Sequence, residues 1–148
     1  MKRFWRETPA WFFLLASFVV GVWIQFDNRS EVPLHFNARG EVDSWGDAST
    51  ALLLPAIALV LYGLLTWVQH HPRHCNYPVE ITDENREQAY RQMSRIVYRI
   101  KLLVMALFLY LTLGVAQVVA VSLFLILIFT LAILLIIVTG WSQMGKNK

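Results

Sequence analysis

The sequence predicts an all-α integral membrane protein with four transmembrane helices, both termini inside, and a small ordered outer loop or β-hairpin between helices 1 and 2. Three observations predict it. Charged residues are 16% of the 148 and hydrophobic residues 57%, against about a quarter charged in soluble domains. The apolar residues come in blocks, each near the roughly 20 residues that span a bilayer core. Lys and Arg gather in alternate connecting segments, the pattern that fixes orientation.

The first block is 9–26, "PAWFFLLASFVVGVWIQF", where Thr8 is the expected N-cap and Pro9 the first helical residue. Its apolar part is long and no small-x-small site closes it, so an uncleaved span is expected. An outer loop fills 27–50. The second span is 51–68, with Ser49 or Thr50 as its expected cap and Pro55 early in the helix. The apolar run Leu102–Thr139 would measure roughly 57 Å as one helix, about two bilayer cores. It must therefore turn back. Gly114, Gln117 and Ser122 mark its least apolar part, giving spans at 100–118 and 121–140 with the reversal near Val118–Val121.

Segment 69–99 carries Arg73, Arg86, Arg91, Arg95 and Arg99; Lys2, Arg3, Arg6, Lys146 and Lys148 mark the ends. The outer loop has only Arg29 and Arg39. Positive charge stays inside, so the chain is expected in a bacterial cytoplasmic membrane as one multi-pass domain, 1–148. Trp5, Trp11, Trp23, Trp67 and Trp141 fall near span ends, as interfacial aromatics do. The cations read as topology determinants, and nucleic acid is not an expected partner. The bilayer is expected as one, and a second copy of the chain is a further candidate.

Within 70–101, Pro72 and Pro78 end the second span, and a helix is expected from Thr82 with Asp83 and Glu84 at its positive end. Tyr90, Met93, Val97 and Ile100 make one apolar face. Arg91, Arg95 and Arg99 repeat every four residues on another, read either as a solvated charge row or as a docking surface for a cytoplasmic partner. His70, His71, His74 and Cys75 crowd together, but their spacing matches no zinc motif, and a structural or pH-sensitive cluster is expected instead of a metal site. No cofactor is expected.

The outer loop holds "VPLHFNARGEVDSWG" at 32–46. "VPLHF" suits a strand, Asn37 and Gly40 a turn, and "EVDSW" a returning strand. Val32, Leu34 and Phe36 alternate and are expected on one face, with His35 opposite. His35 and Asp43 are expected to fix the hairpin by hydrogen bonding, with ligation as the alternative. The loop is net acidic, from Asp27, Glu31, Glu41, Asp43 and Asp47 against Arg29 and Arg39, which favours a cationic partner. There is no HExxH, GxSxG, cysteine nucleophile or phosphate loop, so no catalytic residue is assigned and an enzyme is not expected. Among the spans only Lys101, at an end, is charged, so no proton relay or ion path is read.

The pattern P-x-H-F-N-x-x-G-x-x-D-x-W, carried by Pro33, His35, Phe36, Asn37, Gly40, Asp43 and Trp45, resembles the signature of a family of small bacterial membrane proteins of uncharacterised function. The same module opens the SdpI-type immunity proteins, which protect a toxin producer from its own secreted peptide and can hold a repressor at the membrane. The resemblance covers about 10–65, and "NYPVEITDEN" is similar to the continuation in stand-alone members. It implies a non-enzymatic protein that recognises a secreted peptide or envelope protein at the outer face through Pro33, His35, Asn37, Gly40, Asp43 and Trp45, in toxin protection or signalling. The alternative is a small transport or metal-handling subunit.

Overall fold

The computed structural model describes residues 2–27 and 29–146, with side chains for 7–145 apart from 28. The predicted topology cations Lys2, Arg3, Arg6, Lys146 and Lys148, and the interfacial Trp5, lie outside the described side chains. The chain runs α1 (Lys2–Phe26), β1 (Glu31–Phe36), β2 (Val42–Asp47), a 3-10 turn (Ala48–Leu52), α2 (Leu53–His70), a second 3-10 turn (Pro72–His74), α3 (Arg86–Val115) and α4 (Leu123–Lys146). Among the described residues, four stretches are long and apolar enough to cross a membrane: Glu7–Phe26, Ala48–His70, Arg86–Val115 and Leu123–Gly145.

Both expected caps are corrected. α1 begins at Lys2, which leaves Pro9 inside the helix instead of at its first position and Thr8 inside it too. Proline inside a membrane helix is tolerated where neighbouring groups hold the turn; here Glu7, two residues earlier, is tied to α2 and α3. Neither Ser49 nor Thr50 caps α2, whose N-cap is Leu52 with no side-chain bond; the capped element is the 3-10 turn ahead of it. The Asp47 carboxylate accepts from the Ser49 backbone N–H at 2.8 Å, and the Thr50 hydroxyl donates to the Asp47 carbonyl. A carboxylate two residues upstream reaches the free amide better than a hydroxyl, and the Ser49 contact holds Asp47 below its usual range.

α3 is one helix of 30 residues from the surface into its span. Thr82 and Asn85 cap its approach reciprocally: the Thr82 N–H donates to Asn85 Oδ1, and the Asn85 N–H donates to Thr82 Oγ1. Met93 and Val97 of the expected apolar face are buried, with Tyr90 and Ile100 half-buried. The reversal after α3 is a Schellman turn: Gln117 N–H donates to the Gly114 carbonyl at 2.9 Å, and Val118 N–H to the Leu113 carbonyl at 3.0 Å. Gln117 holds the left-handed position at φ 60°. The Tyr110 hydroxyl then clamps the chain, donating to the Ala120 carbonyl and accepting from the Ser122 N–H.

α1, α2 and α3 pack on one another, and α4 packs chiefly on α3. Three apolar clusters stack along the bundle. Ala10, Leu14, Ala58, Tyr62 and Met105 fill the middle. Met93, Ile96, Val97 and Met144 fill one end, and Ile24, Val32, Ala48, Ala51, Val115 and Ala116 the end beneath the hairpin. In the interior, Thr112 donates its hydroxyl proton to the Phe108 carbonyl, so Ser17 donates to Thr112 at 2.8 Å, tying α1 to α3. Phe124, Leu131, Leu135 and Val138 leave α4 apolar on the outside. That surface suits hydrocarbon, not water.

Candidate functional site

The segment 31–47 is a two-stranded antiparallel hairpin seated on the bundle. Its register runs Glu31 to Asp47, Val32 to Gly46 and Pro33 to Trp45, then slips twice, to His35 opposite Ser44 and Phe36 opposite Val42. Leu34 is thus the extra residue on β1, and Asp43 on β2. The paired bulges overturn the expected alternation. Val32 is fully buried while Leu34 is 51% exposed, because a bulge reverses the side-chain order that a regular strand would keep. Pro33 is buried and Trp45 is exposed.

Asn37 builds the turn. Its Oδ1 accepts from the N–H of Arg39 at 2.8 Å and of Glu41 at 3.1 Å, and its amide donates to the Glu41 carboxylate. Its backbone exchanges bonds with Gly40 and Glu41. Gly40 stands at φ 80°, where only glycine is unstrained. A β-carbon there would also run into the Val121 carbonyl, so the hairpin tip rests on the α3–α4 turn.

Two side chains mount the hairpin. Gln25 Nε2 donates to the Ala48 carbonyl at 2.8 Å. Arg29 Nη1 donates to the Ala116 carbonyl at 2.8 Å, pairs with Asp27, and lies 5.4 Å from the Trp23 ring. The cation thereby caps the negative end of α3. Sequence reasoning counted Arg29 only towards topology and loop charge; its place as one of two arginines in an acidic loop was the available signal.

On the hairpin, His35 Nδ1 lies 2.6 Å from Asp43 Oδ1. Both side chains are well exposed, at 69% and 44%. An exposed pair stabilises by only about 0.2–1 kcal/mol, so its main effect is orientation. With the Nδ1 proton given to Asp43, the ring turns Nε2 away from its partner.

The far end of the bundle holds a second constellation, one the sequence did not reveal. Lys101 has no solvent contact, and its ammonium lies 2.6 Å from the Glu7 carboxylate. It also donates to Thr66 Oγ1 and sits 4.8 Å from the Tyr62 ring. Gln69 and the Tyr62 hydroxyl donate to Glu7 as well. Lys101 is therefore no end-of-span anchor but the centre of a buried polar knot joining α1, α2 and α3. The signal was a carboxylate just ahead of the first apolar block.

His70 and His71 each direct Nδ1 to a carbonyl of the last α2 turn, Thr66 and Trp67, and His74 Nε2 accepts from Arg73. Trp67 stacks on His71 and His74. Burial pushes the Cys75 thiol up. Among the described residues no three His, Cys, Asp or Glu side chains are placed to share a metal ion. Arg91, Arg95 and Arg99 are all exposed, and Arg91 pairs with Glu87 at 2.7 Å.

Residues 12–59 match the model of a family described as a domain of unknown function (DUF1648), a stretch that takes in most of α1, the hairpin and the start of α2. No curated protein and no solved structure matches the chain.

Proposed function

We propose that this chain is a non-enzymatic bacterial cytoplasmic-membrane protein that recognises a cationic peptide or envelope protein at the outer face through its hairpin. One observation carries the reading: the hairpin is held to the bundle at Ala48, Ala116 and Val121, yet His35, Leu34 and Trp45 remain exposed. A connector needs no such mount, and two spans can be joined by a handful of residues. The family match covers this unit, and the resemblance to SdpI-type proteins supports toxin protection or signalling. Net acidity favours the cationic partner. The Glu31 side chain is exposed, and among the described residues its carboxylate has no ion pair or side-chain hydrogen bond.

The test is genetic. A strain lacking the gene is challenged with secreted cationic peptides and complemented with the wild type, His35→Ala or Asp43→Ala. Tolerance should return with the wild type only, while both variants reach normal membrane levels. Full rescue by both variants would reduce the hairpin to a connector.

A further inference from the structure

A groove of about 350 Å³ lies between α3 and α4 at the end opposite the hairpin. Its polar wall is Gln88, Gln92, Arg95, Arg99 and Gln143, and Gly140 forms its floor. The wall carries two guanidinium groups, three carboxamides and no carboxylate. Arg95 and Arg99 have no ion-pair or hydrogen-bond partner among the described residues, unlike Arg91 and Arg86, which pair with Glu87 and Asp83. The two free arginines are one helical turn apart, about 5–6 Å at the β-carbons. That spacing lets two planar forks converge on one phosphate.

The floor is built by close approach. Gln92 Nε2 donates to the Gly140 carbonyl at 3.2 Å, and a β-carbon on Gly140 would meet Ile96 at 2.4 Å. Trp141, next along α4, is 47% exposed, as headgroup-level aromatics are. One wall of the groove is thus α4, whose outer surface is apolar along its length.

We infer that this groove binds the phosphodiester of an anionic phospholipid, with Arg95 and Arg99 as the phosphate ligands and the acyl chains lying along α4. Soluble phosphate shares the headgroup chemistry. The apolar outer face of α4 beside the groove favours the lipid, because acyl chains can lie on it and a free anion gains nothing from it.

The test uses the full chain in neutral-detergent micelles, with retained adducts counted by native mass spectrometry. The probes are phosphatidylglycerol, phosphatidylcholine and inorganic phosphate. Wild-type protein should retain phosphatidylglycerol over phosphatidylcholine, and equimolar phosphate should not displace it. Arg95→Gln/Arg99→Gln should weaken retention by about tenfold or more, while Arg86→Gln, outside the groove, should not. Equal retention of both lipids, displacement by equimolar phosphate, or the same loss in Arg86→Gln would each overturn the assignment. The wild-type comparison decides lipid selectivity by itself, so the test stands even where the double variant misfolds.

Discussion

Lys101 and Glu7 are 94 positions apart in the chain, and their charged groups meet at 2.6 Å in the interior. Breaking a buried pair from one side leaves an uncompensated charge and costs about 3–5 kcal/mol. Glu7 keeps 17% exposure, so the lower end applies. Lys101→Met should lower the unfolding midpoint sharply, and Lys101→Met/Glu7→Leu should recover most of the loss. Thermal unfolding of the four members of this cycle checks it. Additive losses would show that the two residues do not couple.

Gln117 occupies a left-handed backbone position at φ 60°. That conformation costs a residue with a β-carbon roughly 1–2 kcal/mol, and glycine largely escapes it. Gln117→Gly should therefore raise the thermal midpoint, offset in part by greater freedom of the unfolded chain. A clear fall in the midpoint would contradict the Schellman geometry.

Gly40→Val should dislodge the hairpin, since the new side chain meets both a forbidden backbone region and the Val121 carbonyl. Asn37→Ala should loosen the turn, by about 0.5–1.5 kcal/mol for each hydrogen bond lost. Limited proteolysis should then cut both variants within 37–42 while leaving the wild type intact. Identical digestion of all three would mean that the turn does not depend on these residues.

Orientation is tested by labelling in a Cys75→Ser background. Ser44→Cys should react with an impermeant thiol reagent in intact cells, and Ser142→Cys only after permeabilisation. The reverse pattern would invert the protein. In the wild type, Cys75 should alkylate slowly even in permeabilised cells at neutral pH, because burial raises its pKa and keeps it a thiol. Its rate should climb as pH rises past the ordinary thiol value.

The bundle was legible because span length and apolar content are properties of whole segments. The α3 face was legible from Tyr90, Met93, Val97 and Ile100, since helical periodicity survives averaging. The hairpin turn was legible at Asn37 and Gly40, where few residue types fit. What escaped depends on partners distant in sequence. Nothing near Lys101 announces Glu7, and nothing near Arg29 announces the Ala116 carbonyl. The two bulges at Leu34 and Asp43 cancel, so the strands keep their lengths while the faces change. The expected cap of α2 failed because Asp47, Ser49 and Thr50 are all capping types: Asp47 caps a 3-10 turn that precedes α2, and α2 itself has Leu52 as its N-cap, with no side-chain bond.

Amide hydrogen exchange across 31–47, in the full chain in lipid nanodiscs, tests the central claim of a hairpin rigidly mounted for recognition. The N–H groups of Asn37, Arg39, Gly40 and Glu41 are bonded within the turn, and that of Ala48 to Ser30. They should exchange about a hundredfold or more slower than in a free peptide, and Gly40→Val should remove that protection while the centres of α2 and α3 keep theirs. Exchange of the wild-type hairpin at free-peptide rates would contradict the account.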